Sequence, residues 1–207
     1  MFKKIKGAFK EEGLMKELCE HLRQIGINAV LLESGSPEAV GRAQGFVLGS
    51  IKVEGRNIDL VQVERMGVTA VYQYHYLVRA NVEGLENKLE AKGEPKTKGF
   101  MSKEVVDYRW EGKDLAQLLN GDSDLKNMLL KEGLDKLEVK PDKKNQCVRI
   151  TPIVKAPTRV SVGIGGLPSI PVKGGLTVGR KEFPTTGDFE AYDRIAEHIR
   201  SIAGTRP

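Results

Sequence analysis

The sequence predicts an α+β fold in which a mainly antiparallel β-sheet meander packs against an N-terminal and a C-terminal helix. Three observations carry this prediction. Side chains alternate with a period of two over 69–82, the period of a β-strand. Two further strand-like stretches precede it within 45–65. Apolar residues recur at helical spacing over 14–25 and 188–203. Helices at the ends and consecutive strands between them are typical of an α+β domain.

The N-terminal third begins with a predicted helix over 14–25, whose apolar stripe ends at Gly26, a frequent helix-terminating residue. Residues 27–32 read as a strand. Ser36-Pro37-Glu38 has a capping hydroxyl, a proline at the first helical position and an acid near the positive end of the dipole. This tripeptide therefore predicts the start of a second, short helix.

Strands over 45–53 and 56–65 are predicted to form a tight hairpin around Glu54-Gly55, with the strand over 69–82 following. Both hairpin strands carry apolar residues on both sides, which indicates coverage of both faces or a bulge. The charged segment 83–103, broken by glycines and a proline, is predicted to be a mobile excursion with a helical turn near Leu85 and Leu89.

The remaining elements extend the same sheet. They are a strand over 104–110, helices over 114–119 and 124–130, a hairpin of strands over 134–140 and 146–154, short strands around 159–164 and beside Gly174-Gly175, and the final helix over 188–203. We expect one domain over 1–207; the alternative is a division near 93–99.

Composition describes an ordinary folded protein. The chain has 207 residues, of which 40% are hydrophobic and 29% charged, with a net charge of +5. That excess is too mild to indicate a dedicated nucleic-acid binder. Two cysteines and the lack of a long apolar run favour a cytoplasmic protein. The basic segment 1–10 has apolar residues on one helical side, so contact with a membrane surface is an alternative to packing on the body.

Motifs for known chemistry are missing from the sequence. It contains no CxxC pair, no GxSxG elbow and no Walker A loop, and its three histidines form no metal-binding pair. The glycine cluster 163–167 is followed by prolines rather than a helix, which indicates turns. Asp59, Gln62, Glu64 and Arg65 only loosely resemble the acids of metal-dependent nucleases. We therefore expect no cofactor and no metal.

The two faces of the 69–82 strand have different chemistry. Tyr72, Tyr74 and Tyr76 share a face with alanines and valines, which predicts that the tyrosines are buried against helices rather than exposed for stacking. The other face carries Gln73, His75 and Arg79. We expect this face to meet solvent, and these three side chains are the predicted binding residues.

A patterned fold without a catalytic motif favours a non-catalytic ligand-binding or protein-interaction module. The partner would be a protein or a small ligand, and self-association is left open. The alternative is an enzyme or a nucleic-acid-acting protein that uses the polar face of 69–82 and the lysine-rich segment 88–103.

Overall fold

The computed structural model describes residues 2–66, 71–98, 104–153 and 183–204, with side chains described from Gly13 onward except at residues 71 and 104. Within them it places five helices and eight strands. The helices are α1 (Phe2–Gln24), α2 (Glu86–Leu89), α3 (Asp114–Gly121), α4 (Ser123–Lys131) and α5 (Thr186–Ala203). The strands are β1 (Asn28–Leu31), β2 (Phe46–Glu54), β3 (Leu60–Met66), β4 (Val71–Arg79), β5 (Ala91–Lys98), β6 (Glu104–Gly112), β7 (Lys136–Asp142) and β8 (Cys147–Ile153).

All eight strands join one antiparallel sheet in the order β1-β2-β3-β4-β8-β7-β5-β6. The first four strands form a meander, and β4 then pairs with β8 so that the β7–β8 hairpin extends the sheet. The predicted α+β fold, with its antiparallel sheet and terminal helices, is therefore confirmed.

One face of the sheet holds the core and is covered by helices. α1 lies against β1 and β2, and α5 lies against β4 and β8. Tyr76 is buried there, with its ring centroid 6.1 Å from that of Phe189 and 4.3 Å from that of Tyr192. Tyr72 and Tyr74 are half-buried and pack against the same core. The tyrosine side of β4 is thus the helix-covered side, as its apolar neighbours predicted.

Two carboxylates tie α5 to the loop between β2 and β3. Asp193 accepts hydrogen bonds from the backbone N–H groups of Asn57 and Ile58, at 2.7 and 3.0 Å. Asp59 accepts two bonds of 2.9 Å from the guanidinium of Arg200. The β2–β3 connection spans 55–59 and is longer than the tight turn predicted at Glu54-Gly55. Its extra backbone groups are satisfied by side chains of α5 and by neighbouring backbone.

The structure differs from the prediction in two segments. No helix follows Ser36; residues 36–45 run as turns, bends and irregular chain. Part of the predicted mobile excursion is ordered, since α2 forms at the expected helical turn and β5 lies inside the sheet between β7 and β6. A Cβ at Gly93 would lie 2.7 Å from the ring of Tyr108, so this residue lets the β6 aromatics pack over β5. The candidate division near 93–99 falls largely within this strand.

Several sequence predictions lie outside the described residues. They concern the side chains of 1–10, the strands around 159–164 and Gly174-Gly175, and the glycine cluster 163–167. Among the helices that are described, none combines the length and apolar character needed to cross a bilayer.

Replacing Phe189 with alanine tests the anchoring of α5. Phe189 is fully buried against Tyr76, so Phe189→Ala removes core contacts and leaves a cavity. We expect a loss of about 3–5 kcal/mol in the free energy of unfolding. Urea denaturation followed by circular dichroism measures it. The control is Glu197→Ala on the exposed side of α5, expected to change stability by less than about 0.5 kcal/mol; equal losses in both variants would contradict the packing role.

Candidate functional site

Polar side chains occupy the sheet face opposite the helices, across β3, β4 and β8. We call this surface the polar face; its central members are Gln62, Glu64, His75, Arg149 and Thr151. Gln62 lies directly opposite His75 in the pairing of β3 with β4. Apart from the half-buried Thr151, these side chains are buried. Burial of so many polar groups requires partners for them, because unpaired buried polar groups are costly.

The cover is the segment 33–45, called here the strap, which runs from β1 to β2 across the polar face. The Glu64 carboxylate accepts hydrogen bonds from three consecutive strap amides, those of Ala43, Gln44 and Gly45, at 2.6, 3.0 and 2.8 Å. A Cβ at Gly45 would lie 2.5 Å from the carbonyl oxygen of Arg65. Only glycine allows the strap to approach β3 this closely.

Arg149 binds the strap and the sheet at once. Its guanidinium donates to the carbonyl of Gly41 at 2.6 Å, to Oε1 of Gln62 at 2.7 Å and to Asp142 at 2.9 Å. It also lies 3.9 Å from Glu64. The amide of Gln62 in turn donates to the strap carbonyl of Val40 at 2.6 Å. Because protein groups provide all these acceptors, the buried guanidinium has a structural role.

Electrostatics keep Glu64 ionised in this position. Burial by itself would raise the pKa of Glu64, but the three strap N–H donors, together with His75 when it is protonated, outweigh it and lower the pKa. Glu64 therefore carries its charge at neutral pH, where the strap amides and Arg149 stabilise it. A carboxylate with this many donors is an anchor for the strap rather than a proton donor.

His75 is buried and neutral. Its Nδ1 lies 2.8 Å from the hydroxyl of Thr151, and its Nε2 lies 3.8 Å from Glu64, beyond hydrogen-bond distance. Burial lowers the pKa of His75 to about 4; Arg149 adds to the decrease and Glu64 opposes it. Nδ1 and the Thr151 hydroxyl share one hydrogen bond, whose direction follows the tautomer of the imidazole.

The three predicted binding residues are on one side of β4, but they do not form a shared open groove. Gln73 donates to the carbonyl of Pro152 at 2.6 Å, and His75 contacts Thr151 of the same neighbouring strand. Arg79 donates to the strap carbonyl of Glu38. The expected solvent exposure of this face is wrong for His75, which is 6% exposed, because the strap covers it.

The loosely nuclease-like acids are separated in the fold. Glu64 binds the strap, whereas Asp59 pairs with Arg200 of α5 and accepts a 2.6 Å bond from the amide of Arg79. Lysines of the lysine-rich segment also pair with acids of the protein itself: Lys96 lies 2.8 Å from Glu94, and Lys88 lies 3.7 Å from Asp114. Within the described part of the chain, no group of three or more histidines, cysteines and acids is placed to hold a metal ion.

An open cleft of about 720 Å³ lies beside the first half of the strap, at the end of β1. Its walls are formed by α1, by the turn after β1 and by the start of β2. The lining includes Met15, Lys16, Leu31, Leu32, Ala39, Val47, Leu48 and Ser50. Its size falls within the range of about 300–1,000 Å³ of ligand-binding pockets, and its mixed lining of apolar walls with a few polar groups is typical of them.

Sequence reasoning missed both the anchor and the cleft. A signal for the anchor was present: Gln62 and Glu64 on β3 alternate in phase with Gln73 and His75 on β4. In-phase polar residues on adjacent strands indicate a continuous polar face. Nothing in the sequence indicated that the strap would cover that face, since the strap binds the polar side chains through its own backbone N–H and C=O groups.

Comparison of the chain with protein-family models, with curated proteins and with solved structures finds no match.

Replacing Glu64 with glutamine tests the anchor. The amide places an NH₂ group among three N–H donors and removes the buried negative charge 3.9 Å from Arg149, which keeps only Asp142, so we expect a loss of about 3 kcal/mol of stability. Hydrogen exchange followed by NMR should show the amides of 43–45 becoming exposed first. Glu33→Gln, an exposed strap residue, is the control. Unchanged exchange at 43–45 in the Glu64 variant would show that the carboxylate does not hold the strap.

The depressed pKa of His75 predicts loss of stability in acid. In the unfolded state His75 takes up a proton below about pH 6.5, whereas in the folded state it does so only near pH 4. This residue's contribution to stability is therefore present above pH 6.5 and falls with pH through that window, by up to about 3 kcal/mol.

Urea unfolding of wild type and His75→Gln between pH 7 and pH 4 measures this effect. The variant should lose less stability on acidification than wild type. Thr151→Val, which keeps the buried imidazole, should retain the acid-linked loss. Identical pH profiles for wild type and His75→Gln would contradict the assignment of a neutral buried histidine.

Proposed function

We propose that this protein is a non-catalytic binding module and that the cleft beside the strap is its binding site. One observation carries the proposal. The ionisable groups of the polar face are directed into the sheet and the strap, whereas the open concave surface next to them is largely apolar. Apolar clefts with a few polar groups bind ligands by shape and burial.

A general acid or base needs a group that reaches substrate and titrates near the working pH. His75 has a pKa of about 4 and lies beneath the strap, and Glu64 is saturated by backbone donors. Neither residue lines the cleft. These facts support binding over proton-transfer chemistry at the polar face.

We also propose that the protein is cytoplasmic. Cys19 and Cys147 are both free and buried, and burial raises the pKa of the Cys147 thiol to about 12. Two free thiols that need no oxidation to complete the fold support a reducing compartment.

Filling the cleft tests this proposal. Ala39 is an exposed strap residue that lines the cleft, so Ala39→Trp should occupy the space a ligand needs. In an NMR screen of small apolar fragments and short peptides against the wild-type protein, shift changes should cluster at Leu31, Leu48 and Ser50. The Ala39 variant should lose these changes.

Ala43→Trp is the matched control, since Ala43 is an exposed strap alanine outside the cleft. It should bind like wild type. The binding-site assignment is overturned if no ligand shifts the cleft residues, or if ligands bind equally well to both tryptophan variants.

A further inference from the structure

Side chains cap the two outer edges of the sheet. On the outer side of β1, Arg23 of α1 donates through Nε to the carbonyl of Ala29 at 2.8 Å. On the outer side of β6, the Asn120 amide accepts from the N–H of Trp110 at 2.9 Å and donates to its carbonyl at 2.8 Å. Such caps occupy main-chain groups that would otherwise pair with another strand.

β2 has an edge segment that carries no such cap among the described residues. β1 pairs only with Ile51–Glu54, and the last bond on that side runs from the N–H of Leu32 to the carbonyl of Ser50, at 2.9 Å. The strand continues past this point to Phe46, still paired with β3 on its other side. Residues 46–49 therefore have a partner strand on one side only in the described structure.

The bulge sets which peptide group faces outward. Main-chain groups alternate in direction along a strand, and the Ser50 carbonyl points toward the β1 side. The register shift between Val47 and Gly49 inserts one residue. It therefore returns the N–H and C=O of Val47 to that same outward direction.

The outward edge opens into the cleft. α1 forms one wall through Met15 and Lys16, and the strap forms the other through residues 33–35 and Ala39. The edge lies between these walls and in line with β1, so a single extended chain placed on it would continue the β1–β2 pairing.

Ser50 gives a second, independent indication. It lines the cleft and is 3% exposed, and its hydroxyl has no hydrogen-bond partner among the described residues. Buried hydroxyls are normally paired, so a ligand's polar group in the cleft would find an unused hydrogen-bonding partner at Ser50. Phe46 and Val47, 61% and 38% exposed, add apolar surface at the same edge.

Resting on the proposed function of the cleft, we infer that its ligand is an extended peptide segment of a partner protein that adds to β2 as a strand. Main-chain bonds to Val47 hold it in line with β1. Alternate side chains of the peptide face α1 and the strap, and apolar ones suit Met15 and Leu48. Strand addition of this kind takes affinity from the backbone and specificity from alternate side chains.

The test compares Val47→Pro with Val47→Ala. Proline removes the outward N–H but no bond to β3, whereas alanine keeps the N–H and loses the same apolar surface. The probes are acetylated heptapeptides in which valine, isoleucine, leucine or tyrosine alternates with threonine or serine, and calorimetry measures their affinity. We expect binding to the proline variant to be about two- to tenfold weaker than to the alanine variant, the effect of one lost main-chain bond.

A methylation scan on the wild-type protein covers the case in which the proline variant does not fold. N-methylation of peptide amides that face β2 should abolish binding, and methylation of alternate amides should not. A tight complex that is unaffected both by Val47→Pro and by methylation of each peptide amide in turn overturns strand addition while leaving the cleft as a ligand site. Failure of every peptide where small apolar fragments still bind the cleft also overturns it, and loss of all cleft binding overturns the proposed function itself.

Discussion

The Glu64 carboxylate is the interaction on which the described arrangement of the polar face depends. It lies on an interior strand, fully buried, and three consecutive strap amides donate to it. A charge in that position is tolerable only while these donors surround it. The strap in turn can cross a sheet face without secondary structure of its own only because the carboxylate and Arg149 satisfy its backbone groups. Strap and charge stabilise each other.

This mutual dependence explains why the polar face is closed. The strap amides and carbonyls replace water for Gln62, Glu64 and Arg149, so the face has little free hydrogen-bonding capacity. The open surface lies instead beside the first part of the strap, between the end of β1 and the residues that bind Glu64. The cleft is thus a consequence of how the strap is fixed: its far end is bound tightly, and its near end stands away from β2.

Much of the fold could be predicted from the sequence, because periodicity reports which side of an element is buried. The apolar neighbours of Tyr76 indicated the helix side of β4, and Gly26 marked the end of the first helix, where its φ is positive at 86°. Prediction was wrong where long-range contacts override local signals. Ser36-Pro37-Glu38 has the features of a helix start, yet the amides that follow bind a carboxylate from a distant strand.

The candidate site was harder to predict for a related reason. Gln73, His75 and Arg79 were correctly placed on one side of β4, but sequence alone gives no measure of what covers a sheet face. The cleft depends on a bulge and on where β1 ends, and both are properties of pairing between strands. Composition and spacing along one chain do not report them.

The cap at Trp110 has a consequence for how far the sheet extends. A primary amide side chain presents the same donor and acceptor as a peptide group, so Asn120 stands in the place of a ninth strand. At Trp110 the edge of the sheet is therefore closed by the functional group of one residue. Hydrolysis of this amide to an acid would remove the donor to the Trp110 carbonyl, and chemical ageing of a single side chain would then favour edge-to-edge association between molecules.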